Sequence, residues 1–144
     1  MPNRAIELHD AEVAVLWYEG NSEAVLIFST LYIHQSEGVP GADSGIIWWQ
    51  RAELEIKMPS DNAEELRDYP YQIYDGDIFI DGVMHINVVP LPLKAKNSFR
   101  IILKGIDDES NLRQIDIKGT QAKLTLLGEI HGSKEFKALK DHEK

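Results

Sequence analysis

Five histidines, 24 acidic residues and no cysteine bound the chemistry open to this 144-residue chain. Without cysteine there is no disulfide and no thiolate ligand, so any metal would have to be held by imidazole and carboxylate. His9, His34, His85, His131 and His142 stand far apart, and no two form a local pair. His85-Ile86-Asn87 does put two polar side chains on one strand face, because alternate residues of a strand point the same way. A strand-borne metal site would want a second histidine where Asn87 stands, so no metal or other cofactor is predicted. Instead His85 and Asn87 are candidate ligand-binding residues. They would share a face with Ile73, Ile78, Ile80 and Val83, where a hydrogen bond could orient a small molecule. The simpler account of His85 is a hydrogen-bonded histidine on a mixed sheet face.

Three other groupings invite chemistry. His34, Glu37 and Asp43 could meet as a surface ion site around one loop. Asp75, Asp77 and Asp81 with their glycines resemble a calcium loop in composition. A calcium loop, however, needs oxygen ligands where Ile78, Phe79 and Ile80 stand, so turns are the better reading. No Gly-x-Ser-x-Gly elbow or phosphate-cradling glycine loop occurs, so no nucleophilic mechanism has a motif. The chain reads more readily as a binding protein than as an enzyme.

The formal net charge of -9 disfavours general electrostatic binding to nucleic acid or anionic lipid. The first twenty residues lack the apolar core of a signal peptide, being interrupted by Glu7, His9, Asp10 and Glu12. No apolar run reaches the roughly 18 residues of a membrane span. A soluble, cytoplasmic protein is expected.

The elements that must position these residues are strands. The richest signal is Tyr69 to Val89, with Asp-Gly at 75–76 and 81–82. Asp-Gly between apolar runs predicts a type I′ hairpin, since both central residues then need positive φ. The stretch is expected as a three-strand meander. Asp75-Gly76 would pair Ile73 with Ile78, and Asp81-Gly82 would pair Phe79 with Met84 and Ile78 with His85. Neither face of the meander is cleanly polar, so both are expected to be covered, one by the core and the other by a chain segment, ligand or partner.

Upstream, Ile6 to Trp17 reads as one or two strands. A turn at Gly20-Asn21 would set Leu16 opposite Val25. Ala24 to His34 is apolar on both faces, as a central strand should be. Ser36 to Gly45 is a long Gly/Pro loop; long loops can carry binding residues, but an ordinary wide turn is the simpler account. Ile47 to Met58 alternates cleanly, placing Trp48, Gln50, Ala52, Leu54 and Ile56 inside and Trp49 outside. Trp49 is therefore the candidate protein-contact residue. Residues 59–68 are the best helix candidate. Strands follow at 99–104, 112–118 and 121–130, the last two expected to pair, with Ala122, Leu124, Leu126 and Ile130 facing inward.

Nine or ten short strands with turns every 8–12 residues predict an all-β antiparallel sandwich or flattened barrel, with at most one or two short helices. One domain is expected over residues 1–131, and 132–144 as a charged tail or short docking helix. Two functions follow as expectations. The first is a non-catalytic interaction module that forms homo-oligomers or engages a protein partner through Trp49. The second is a small-molecule binder or enzyme with a pocket near His85.

Overall fold

The computed structural model describes residues 2–19, 22–57 and 70–138. They form ten strands: β1 (Asn3–Glu19), β2 (Glu23–Ser36), β3 (Gly45–Lys57), β4 (Gln72–Ile80), β5 (Val83–Ile86), β6 (Val88–Pro90), β7 (Lys94–Ala95), β8 (Phe99–Ile106), β9 (Leu112–Gly119) and β10 (Gln121–Phe136). All pairings are antiparallel. No helix occurs among the described residues, and the helix candidate at 59–68 lies outside them.

The strands make one sheet in the order β7-β10-β3-β2-β1-β4-β8-β9, with β5 attached to β4 and β6 to β1. The order has two ends, so the sheet does not close. It is an all-β fold of the sandwich or flattened-barrel type. Long-range apolar burial holds it together: Leu8, Phe28, Leu31, Ile33, Leu54 and Ile78 are among the side chains wholly removed from water. The β3 alternation is as expected, with Trp48, Gln50, Ala52, Leu54 and Ile56 buried. Indole Nε1 of Trp48 donates to Gln50 Oε1 at 2.8 Å, which satisfies the polar group that comes with the ring.

Register shifts fall at one level in three strands. They lie between Glu7 and Glu12 in β1, Phe28 and Leu31 in β2, and Leu127 and Gly132 in β10. All sit beside Gln50 and Arg51 of β3. A bulge bends its strand and sharpens the local twist. Aligned, these bulges let one set of strands turn a corner. Beyond the corner β1 changes partner: Ala5 to Glu7 pair with β6, whereas Glu12 pairs with Gln72 of β4.

The hairpin at Asp81-Gly82 forms as expected, with Phe79 opposite Met84 and Ile78 opposite His85. Asp81 and Gly82 both have positive φ, 48° and 88°. The turn at Asp75-Gly76 does not form: β4 runs straight through it and pairs with β8 along its length. The expected three-strand meander is therefore a single long strand and one hairpin. A register shift between Ile73 and Asp75 restores what the absent turn was expected to do, and Ile73 and Ile78 are both buried. Gly76 serves packing. A Cβ there would lie 2.9 Å from side-chain carbons of both Leu8 and Leu103.

Four further expectations change. Leu16 pairs with Leu26 rather than Val25, one residue from the expected register. β9 pairs with β8 and β10 with β3, so the last two strands are not partners but lie near opposite ends of the sheet. Ile130 is exposed, because it sits in the β10 bulge. The strand β10 continues to Phe136, six residues past the expected strand end at Ile130, and pairs with β3 as far as Gly45.

Candidate functional site

An open groove of about 1170 Å³ lies between the β1–β6 edge and β10. One wall comes from β1 and the segment after β6. Arg4 and Leu91 are ladder neighbours there, the Leu91 N–H donating to the Arg4 carbonyl at 2.9 Å. The opposite wall is Leu124 and Leu126 of β10, both of which also pack against the main core. The two walls belong to strands well separated in the sheet order. They meet because the chain crosses from β6 to β7, where the Leu124 N–H donates to the Leu93 carbonyl at 3.2 Å.

The third side is the Gly/Pro loop, residues 38–42. It is fixed from within: Asp43 Oδ2 accepts the Val39 N–H at 2.6 Å, and Ser36 Oγ accepts the Gly38 N–H at 3.0 Å while donating to the Ser44 carbonyl at 2.9 Å. Asn3 Nδ2 reaches across to the Gly38 carbonyl at 2.8 Å. Gly41, at φ 87°, lets the loop fold close over Val88. Short Asx and Ser bonds of this kind are how a loop without secondary structure holds one shape.

His85 lines the groove with Val88, Pro90 and Pro92. Asn87 does not. It takes φ 63° at the kink between β5 and β6, and its groups are spent on the backbone. Its Oδ1 accepts the His9 N–H at 2.7 Å, its carbonyl accepts the Leu8 N–H at 2.9 Å, and its own N–H donates to the Gly76 carbonyl at 2.8 Å. Asn87 thus splices β1 to β4 and β5 and holds the strand that carries His85. The pairing of His85 with Asn87 in one site rested on strand alternation, which the left-handed residue interrupts.

Trp49 lies on the sheet face opposite Trp48, half-buried, and outside the groove. Its ring sits 5.9 Å from that of Tyr32 and covers Gly132, where a Cβ would strike the indole. Beside it, burial and the carboxylates Asp10, Glu12 and Glu7 raise the Tyr32 phenol above its ordinary value. His34 is only 3% exposed. It packs edge-on against Phe136 with ring centres 5.2 Å apart, and its Nε2 lies 3.5 Å from Glu7 Oε1. Among the described residues no three of His, Asp and Glu gather as metal ligands would, and no helix is long and apolar enough to cross a membrane.

Arg4 is the site residue that sequence reasoning missed. Its Nε donates to Gln35 Oε1 at 2.8 Å, and its guanidinium carbon lies 5.3 Å from the centre of the Trp48 ring. Nothing local marks it, since both partners come from other strands. The comparisons with known proteins add no name to this arrangement: no family, no curated protein and no solved structure matches the chain.

Proposed function

We propose that this protein is a non-catalytic binding module whose ligand occupies the groove beside His85. The observation that supports the reading is the groove itself, with walls of Leu, Val and Pro and few polar groups. Pockets that bind small molecules are concave, mostly apolar and furnished with a small number of placed polar side chains. The braced 38–42 loop gives the site a shape before any ligand arrives, which lowers the ordering cost of binding.

Nile red, a neutral dye that brightens in apolar surroundings, tests this on the full chain. It should saturate at one site, and Leu126→Trp should abolish the signal while the thermal midpoint moves little. His85→Ala should weaken binding with little loss of fold. Dye binding unaffected by Leu126→Trp would place the apolar site elsewhere.

A second reading has its own support. The outer face of the β4–β5 hairpin carries Met84 at 48% and Ile86 at 67% exposure, beside half-buried Phe79. That surface would suit a second copy of the chain. Sedimentation velocity across a concentration series should then show a dimer that Ile86→Lys dissolves.

A further inference from the structure

Resting on the groove reading, we infer that the groove is built for an apolar chain ending in a carboxylate, with the Arg4 guanidinium as its anion partner. Three observations carry this. First, the chain has 24 acidic residues in 144, yet no Asp or Glu is among the described residues that line the groove. The titratable side chains there are Arg4 and His85. Among the described residues the carboxylates of an acidic protein stay out of this concavity, which favours a negatively charged guest over a positive one.

Second, Arg4 is held but not used up. Gln35 accepts from Nε, and the Trp48 ring lies beneath the guanidinium. Neither Nη nitrogen has a partner among the described residues. With Nε occupied, these two nitrogens can still form paired hydrogen bonds to a carboxylate from the end of the guanidinium. A guanidinium already fixed by a neutral amide and an aromatic face loses little further freedom on binding. A carboxylate partner within the protein would have neutralised it; an amide orients it and leaves the charge available.

Third, most of the remaining lining is hydrocarbon, and the Asn3 amide that borders it is spent on the Gly38 carbonyl. Val88, Leu91, Leu124 and Leu126 offer no hydrogen bonds, so the remainder of the ligand gains most by being apolar. A sugar or nucleotide body would lose its water there without compensation. The match is an amphiphile with one anionic end.

The test uses three ten-carbon probes on the full chain at pH 7.5: decanoate, 1-decanol and decylammonium, each displacing Nile red. Decanoate should bind most tightly and decylammonium most weakly. Arg4→Gln should lower decanoate affinity about tenfold, the range for losing a charge-assisted pair, and leave decanol unchanged. Gln35→Ala, which frees the guanidinium but keeps its charge, should cost a few-fold. Melting curves of both variants show whether the fold is intact. Equal binding of the three probes, or an unchanged decanoate-to-decanol ratio in Arg4→Gln, would overturn the assignment of an anion and leave the apolar groove standing. Failure of every probe to displace dye would overturn the groove reading with it.

Discussion

Gly76 lies in the middle of β4, in an Asp-Gly pair that forms no turn, so its substitution separates two explanations of why glycine is there. Its φ is not positive, so alanine is conformationally acceptable. The obstacle is space. The new Cβ would sit 2.9 Å from Leu103 Cδ2, 2.9 Å from Leu8 Cδ1 and 3.0 Å from Leu8 Cβ. Ordinary carbon contacts are about 3.5–4.0 Å, so both leucines must retreat by something under 1 Å. Both are fully buried. Overfilling a packed core typically costs about 1–3 kcal/mol. Replacing glycine also narrows the unfolded ensemble, which returns about 0.4–1 kcal/mol. The net expectation for Gly76→Ala is a loss of about 1–2 kcal/mol, or about 3–6 °C in melting temperature for a chain of this size. Urea denaturation followed by tryptophan fluorescence measures it directly.

The decisive assay is the double-mutant cycle with Leu103→Ala. That substitution alone leaves a cavity and should cost about 2–5 kcal/mol. In its background Leu8 and the new methyl share the void, so Gly76→Ala should become nearly neutral or stabilising. Additive effects in the cycle would refute the packing argument, because additivity is what residues without a shared contact show. A rise in stability for Gly76→Ala alone would refute it more simply.

Gln50→Ala should be destabilising by about 1–3 kcal/mol, measured by urea denaturation, since the buried Trp48 N–H loses its acceptor; a neutral result would mean that the indole finds water. Asp107 should give a distinct acid dependence. The backbone N–H of Asn111 and of Glu109 and the Arg113 guanidinium hold its carboxyl down at about 2. A carboxyl depressed in the folded state stabilises fully above its unfolded value of 3.8 and loses that contribution as pH falls through about 2. Melting temperatures of Asp107→Asn and the unaltered chain should therefore differ above pH 4 and converge near pH 2, and a constant gap would count against the assignment. Asp81→Ala should loosen the 96–98 loop, whose three N–H groups donate to that carboxylate. Faster amide exchange at Lys96, Asn97 and Ser98 is the readout.

What was legible in the sequence was what two or three neighbouring residues decide. The β3 faces follow from strand alternation. The Asp81-Gly82 hairpin follows from the need for positive φ, and its register was legible because a two-residue turn leaves no slack. The Asp75-Gly76 pair has the same local signature. It behaves differently because β8 on one side and Leu8 beneath it offer more burial than a turn would. Local chemistry permits both outcomes there, and only packing chooses.

The sequence by itself determined an all-β antiparallel chain with β3 buried on one face, a long Gly/Pro loop and the tight hairpin at Asp81-Gly82. Tertiary structure decided which strands became neighbours. The β9–β8 and β10–β3 pairings, and the shared level of the register shifts in β1, β2 and β10, depend on contacts between residues far apart in the chain, whose cost and gain no local pattern records. The groove belongs to this second class. It exists because the β1–β6 edge and β10 face each other across the β6–β7 crossing, and Arg4 was invisible because Gln35 and Trp48 reach it from β2 and β3. His85 was visible as a polar residue among apolar ones. That it lines a groove while Asn87 holds the backbone was settled by one left-handed residue that broke the alternation on which their pairing had rested.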